Sequence, residues 1–359
     1  MSVDVYDDFR ALPAHLREAL SFPAEPRFER SLQWFENLHE QVISAQADPR
    51  IYVSESQGEA PVALFCAVSR ERPRELTSLT NFYSLEFGPS GAVARSRVAA
   101  GMARIAEHIA TEAFDRLELR LLLDGSPEAS ETRLALEQAG FRCSDYFQFD
   151  NWIRRDDSAG GRDFEAYYAS LPSKLKNTVR RKGNRLQRDH TVRIERVKAP
   201  GAALEQAIED YVAVYNKSWK EPEPYPEFMP SMIRLAASLD ALTLGTLYLD
   251  DTPVATQVWL HEPGRTVIYK LAYDEAYKQT SAGSVLSRAL FEDAFARGDV
   301  GVIDYGVGNE AYKRDWMTEN QRLVGLVGYN SARWGGRWGI AKDAARRIAK
   351  RLLKGASDQ

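Results

Sequence analysis

Residues 244–316 constrain this chain more than any other stretch. They read LGTLYLDDTPVATQVWLHEPGRTVIYKLAYDEAYKQTSAGSVLSRALFEDAFARGDVGVIDYGVGNEAYKRDW. Three apolar runs with turn pairs at Asp250-Asp251 and Pro263-Gly264 predict consecutive strands. A Ser/Gly turn then opens a helix, and a further strand ends in a polar cluster. The first amides of a helix lack intrahelical acceptors and point outward, so a small-residue turn feeding a helix attracts anions. SAGSVL (281–286) is therefore a candidate cradle for the phosphates of a nucleotide-like cofactor.

At 359 residues the chain exceeds one ordinary core, and two domains are expected. Its 44% apolar and 27% charged residues fit a soluble globular protein. No apolar run reaches the roughly 18–20 residues that span a bilayer. The opening MSVDVYDDFRALP is acidic where a secretory leader is basic, so a cytoplasmic location is expected. Cys66 and Cys143 form no CxxC pair, and the five histidines show no ligand spacing. No protein-built metal site is expected. Cys66, within APVALFCAVSR, reads as a core strand residue.

Element order repeats along the chain. Residues 27–45 have apolar positions at helical spacing, and three β-rich segments follow up to about residue 90. Next come an Ala-rich helix from about Val93, the strand RLELRLLLD, a helix begun by Ser126-Pro127 and stopped at Gly140, and the strand or hairpin FRCSDYFQFDNWIRR. The second half gives two helices, three strands, a helix stopped by Gly298, a strand, a short helix and a strand. The expected architecture is α/β with mixed sheets, in two copies of one fold. The boundaries expected from sequence are 1–155 for the first domain, 156–190 for a linker and basic helix, and 191–359 for the second domain. DDSAGG (156–161) is the linker by composition. Ser170 or Ser173 is the expected cap of the basic helix.

Two segments concentrate positive charge in a chain of net charge −4. Residues 174–188 hold seven Lys/Arg and no acid, including Lys174, Lys176, Arg180, Arg181, Lys182 and Arg185. Leu171, Leu175, Val179 and Leu186 give that helix one narrow apolar stripe. A solvated helix needs no such excess, so these six cations are candidate contacts to a polyanion such as tRNA or anionic lipid. Residues 342–354 hold six Lys/Arg and one Asp on a second helix. That helix is expected to dock on its own domain. The alternative is an anionic membrane surface with Trp334 and Trp338 as anchors.

Three further motifs carry polar chemistry. DYGVGNEAYKRDW places Asp304, Glu310, Tyr312 and Lys313 at the C-terminal edge of a strand, where ligands of sheet proteins gather. Asp304 or Glu310 could act as a general base, Tyr312 could donate a proton or hold a substrate, and Lys313 could pair with a phosphate or carboxylate. Tyr269 and Tyr273 share one face of the strand before the Ser/Gly turn. YNKSWKEPEPYPEF offers Trp219, Lys220 and Glu221 before a proline-rich loop. Each has a plainer reading, as a capped turn, packed tyrosines or a connector.

With these motifs in place, the second half resembles the GNAT acyltransferases. The resemblance rests on the element order and on QTSAGS (279–284) where that family's Q/R-x-x-G-x-G/A turn belongs, with Ala282 and Ser284 in place of glycines. The basic helix SLPSKLKNTVRRKGNRL, YNKSWKE, SAGSVL and DYGVGNEAYKRDW are similar to the CelD-like branch, whose tandem GNAT-like domains are related to the Fem-type aminoacyl transferases. The resemblance implies acyl-CoA, such as acetyl-CoA, as donor at Gln279, Ser281, Ala282, Gly283 and Ser284. It implies direct acyl transfer to an amine or hydroxyl of a small molecule or an envelope or polysaccharide precursor. Competing expectations are aminoacyl-tRNA-dependent amide formation and a non-catalytic scaffold.

Overall fold

The computed structural model describes residues 3–56, 58–91, 94–155, 163–298 and 300–357, with side chains through residue 346. The expected 156–161 linker lies outside the described residues. In chain order the first elements are β1 (Val3–Tyr6), α1 (Ala14–Leu20), α2 (Leu32–Leu38), β2 (Ala47–Ser54), β3 (Val62–Ser69), β4 (Glu75–Ser78), α3 (Arg95–Thr111), β5 (Arg116–Leu123), α4 (Pro127–Gln138) and β6 (Phe141–Arg155). Then come α5 (Phe164–Ser170), α6 (Ser173–Asp189), β7 (Val192–Val197), α7 (Ala202–Asn216), α8 (Phe228–Ser238), β8 (Leu242–Leu249), β9 (Thr252–Glu262) and β10 (Arg265–Tyr273). The last are α9 (Ala282–Ala296), β11 (Val302–Val307), α10 (Ala311–Trp316), β12 (Glu319–Asn330) and α11 (Trp334–Ser357).

The chain forms two compact units that are discontinuous in sequence. The first holds residues 1–25, 29–149 and 322–359, and the second holds 26–28 and 150–321. These limits differ from those read in the sequence. Residues 322–359 join the first unit because β12 completes its sheet beside β5, in antiparallel register from Leu323↔Leu123 to Tyr329↔Arg116. The basic helix α6 belongs to the second unit because Leu175, Val179 and Leu186 are buried in that unit's core.

In the first unit, β1 to β4 form an antiparallel meander. Helix α3 then crosses over to β5, which lies parallel to β4. In the second unit, β7 to β10 form the matching meander, and α9 crosses over to β11, parallel to β10. The end of β6 closes that sheet against β11. Each half of the sequence thus lends the strand that completes the other unit's sheet, which single-sequence periodicity cannot reveal.

Local chemistry sets the element limits. Asp250 and Asp251 have φ of 49° and 64°, the left-handed pair that a two-residue hairpin turn needs. Ser126 accepts a hydrogen bond from Ala129 N–H, and Pro127 follows at the first helical position. The expected serine cap of α6 is not formed. Pro172 precedes that helix without a side-chain cap, and Ser170 Oγ donates to Tyr167 O at the end of α5. The periodic stretch 27–45 breaks into short helical turns around α2, and only Glu75–Ser78 of the third β-rich segment forms a strand.

Candidate active site

β10 and β11 pair only from Arg265↔Val302 to Val267↔Asp304. Beyond Val267 the last six residues of β10 leave this parallel ladder, and a β-bulge interrupts the β9–β10 register between Ile268 and Lys270. A cavity of about 670 Å³ opens there. Leu271, Ala272 and Tyr273 of β10 and Tyr305 of β11 line it. Lys174, Leu175 and Thr178 of α6, the 281–284 turn and the α10 region complete its wall. Bulges and strand ends recur at binding sites because they re-aim side chains and free backbone groups.

Ser281, Ala282, Gly283 and Ser284 all line this space. Ser281 sits in the left-handed region at φ 58° and begins α9. The turn is tighter than a simple anion cradle. Ala282 N–H donates to Thr280 Oγ1 at 3.2 Å, while Ser284 and Val285 N–H both donate to Ser281 O. The turn therefore satisfies three of its own early amides. Gln257, buried on β9, donates through Nε2 to Gly283 O at 3.0 Å and to Ser287 Oγ at 2.8 Å. Trp259 Nε1 in turn donates to Gln257 Oε1. This pinning of α9 was missed in the sequence, where its one signal is a glutamine inside a continuously apolar strand. Lys174 and Lys278 add two cations to the lining.

Trp219 and Tyr273 form an aromatic wall, with ring centroids 4.5 Å apart. Beside it, Lys220 is half-buried and packs over the faces of Trp219 and Tyr215, at 5.6 and 5.7 Å. Burial, and then the neighbouring charges of Lys270 and Lys313, lower its pKa from 10.5 to about 8. Lys270 is held by Glu223 Oε1 at 2.5 Å and Lys313 by Glu310 Oε2 at 3.1 Å.

Glu310 and Tyr312 line the cavity at its polar end, together with Asp315. Burial, and then the Glu310 charge, push the Tyr312 phenol pKa well up, so the hydroxyl stays protonated at neutral pH. Lys313 is buried. Its ammonium donates to Gly306 O at 3.2 Å and Val307 O at 2.5 Å, so it clamps the end of β11 and positions Glu310. Burial lowers its pKa.

Other sequence candidates lie elsewhere. Asp304 is 3% exposed and is not among the lining residues. Its carboxylate accepts from Arg265 at 2.7 Å, Asn151 at 3.1 Å and Gly306 N–H at 2.8 Å. That network fixes the strand end and leaves the group no path to an acceptor's proton. Gln279 presents its carbonyl to Lys182 and does not line the cavity. Tyr269 is buried off the lining, and Glu221 is exposed away from it. Of the six candidate cations on the basic helix, Lys174 alone lines the cavity. Lys176 donates to Ala169 O, Arg180 to Asn177 and Arg185 to Asp189, while Arg181 is exposed.

Residues 173–314 match the family model described as the acetyltransferase (GNAT) domain. Over those residues the second unit thus has a GNAT-type acyltransferase fold, and the strand gap, the crossover helix and every lining residue but Asp315 and Trp316 fall within them. A comparison with curated proteins gives no match. Among solved structures, FemX is similar in fold, with a TM-score of 0.62 at 8% identity over 92% of this chain and 98% of that one. The C-terminal domain (DUF2156) of a candidate lysylphosphatidylglycerol synthetase from Agrobacterium fabrum has a TM-score of 0.55 at 10% identity, over 91% and 95%. L-PGS from Bacillus licheniformis has a TM-score of 0.52 at 13% identity, over 91% and 98%. At these identities the likeness is one of fold.

Proposed function

We propose that the second unit transfers an acyl group from an acyl-CoA thioester, acetyl-CoA being the simplest, directly to an amine in the 670 Å³ cavity. The observation that carries this reading is the gap between β10 and β11 beside the first turn of α9. Leu271, Ala272 and Tyr273 of β10 line the cavity beyond the parallel ladder, so an extended ligand can lie along that strand. The small residues of the 281–284 turn leave room for phosphates, with Lys174 and Lys278 supplying charge.

In the reaction, the acceptor nitrogen attacks the thioester carbonyl. The new C–N bond forms as the C–S bond breaks. Glu310 takes the nitrogen's proton, directly or through one water, and Tyr312 donates its phenolic proton to the leaving sulfur. No covalent enzyme intermediate is needed, and orientation in the cavity supplies much of the rate. Trp219, Tyr273 and Lys220 form the acceptor side, which suits a small molecule or an envelope precursor bearing an anionic group.

One observation favours a second reading. The turn satisfies three of its own amides, while the cation-rich helix α6 borders the same cavity. A donor held mainly by cations along a backbone of phosphates, as in an aminoacyl-tRNA, would fit that arrangement. The test is CoA-thiol release from acetyl-CoA with a panel of amines, run on wild type, Glu310→Gln and Tyr312→Phe. Amine-dependent release that falls about 100-fold in Glu310→Gln supports the proposal. Release unaltered by both variants refutes the residue assignment. No release with any amine, together with salt-sensitive tRNA binding, moves the donor to aminoacyl-tRNA.

A further inference from the structure

Helix α11 begins on its own unit through glycines. A Cβ at Gly336 would lie 2.0 Å from Asn330 O, one at Gly339 would lie 2.4 Å from the Tyr329 ring, and one at Gly335 would lie 2.2 Å from Asp115. Arg337 Nε also donates to Ser331 O. These three glycines define the docked face, because only residues without a side chain permit so close an approach.

The opposite face carries Trp334 and Trp338, one helical turn apart, with Ala341 and Ala345 continuing the stripe. The two indoles are 82% and 68% exposed. Tryptophan exposes so much of its ring only rarely in a lone soluble domain, and two on one stripe form a patch that awaits a partner. Among the residues with described side chains, the expected docking of this helix therefore holds for its first turns alone. Ala341, Lys342, Ala344, Ala345 and Arg346 are all exposed.

The flanking charge says what that partner is. Arg337, Lys342 and Arg346 are exposed beside the stripe, and Asp343 is the one acid from residue 334 to 354. In sequence, Arg347, Lys350, Arg351 and Lys354 extend the basic run, and Ile348 and Leu352 keep the spacing of the apolar stripe. Among the described residues no helix is long and apolar enough to cross a membrane. An amphipathic helix with tryptophans on one face and Lys/Arg on the other lies in the interface of an anionic bilayer, its indoles at headgroup depth.

We infer that α11 binds this protein to the surface of anionic lipid bilayers, with Trp334 and Trp338 inserted and the Lys/Arg side chains paired with headgroup phosphates. Such binding holds the enzyme where lipid-linked substrates are found, and it stands whichever acyl donor is used.

The test is co-sedimentation of the full chain with vesicles of phosphatidylcholine alone and of phosphatidylcholine with about one-third phosphatidylglycerol. Wild type is expected to sediment with the anionic vesicles, with a blue shift of tryptophan emission, and to be released by high salt. Trp334→Ala/Trp338→Ala is expected to bind at least tenfold more weakly. Lys342→Glu/Arg346→Glu is expected to lose the preference for anionic vesicles. The four side chains are exposed, so unchanged thermal unfolding certifies each variant. Failure to sediment with anionic vesicles overturns the inference, as does undiminished binding by the tryptophan variant. A concentration-dependent dimer abolished by that variant also overturns it, since a second copy would then cover the stripe.

Discussion

Lys220→Gln separates functional from structural use of the cavity rim. The ammonium is half-buried, has aromatic faces and two other lysines for neighbours, and titrates at about 8 instead of 10.5. One pK unit corresponds to about 1.4 kcal/mol, so holding this charge at pH 7 costs the folded state about 3 kcal/mol at most. The aromatic contacts return about 1 kcal/mol, and water at the rim screens part of the penalty. The substitution should therefore stabilise the protein by about 1–2 kcal/mol at pH 7. The sign with pH follows from linkage. Between about 8 and 10.5 the unfolded chain binds a proton that the folded chain has lost, so wild-type stability rises through that window. The gain from Lys220→Gln should be largest at pH 7 and vanish above about pH 10.5. Urea denaturation at pH 7 and 10.5 measures both, and acyl transfer to an anionic acceptor should fall in the same variant. A Lys220→Gln protein less stable than wild type at pH 7 would refute the reasoning.

Three further outcomes follow from the site and its surroundings. Asp304→Asn should lower stability by about 3 kcal/mol in urea, because it strips a buried ion pair from Arg265, and it should do so with or without donor present. Glu310→Gln should lower kcat/KM in the amine acceptor assay about 100-fold; an unchanged kcat/KM would remove Glu310 as the base. His261 is 4% exposed, bonded to Thr243 and Thr266, and burial depresses its pKa to about 3. Its contribution is complete above 6.5 and is lost as pH falls toward 3, so by pH 5 wild type should lose about 2 kcal/mol relative to His261→Gln in paired urea melts.

The legible parts of this fold were those written in local chemistry. Alternating apolar runs gave β8, β9 and β10, the Asp250-Asp251 pair gave their hairpin, and Gly298, at φ 78°, marked the end of α9. Leu175, Val179 and Leu186 of the expected stripe form the buried face of α6, while Leu171, also buried, caps the end of α5. Long-range pairing was not legible. Nothing in FRCSDYFQFDNWIRR says that one strand serves two units, nor that residues 322–330 return to β5. The site divides the same way. The 281–284 turn, Glu310, Tyr312, Trp219 and Tyr273, singled out by motif and strand edge, all line one cavity. Asp304 looked equally available, because a buried partner 39 residues earlier, Arg265, leaves no local sign. Gln257 and Thr178 reach the cavity from elements whose periodicity reports burial and not direction.

The central claim is that an acyl-CoA sits in the gap beside the 281–284 turn. Gly283 tests it cleanly, because a Cβ there would make only an ordinary 3.6 Å contact with Tyr273 while an added carboxylate would enter the cavity and repel phosphate. Isothermal titration of wild type and Gly283→Asp with acetyl-CoA and CoA is the measurement. The account predicts saturable wild-type binding that weakens at least tenfold in Gly283→Asp at unchanged melting temperature. Equal binding by the two proteins, or none by wild type, would contradict it.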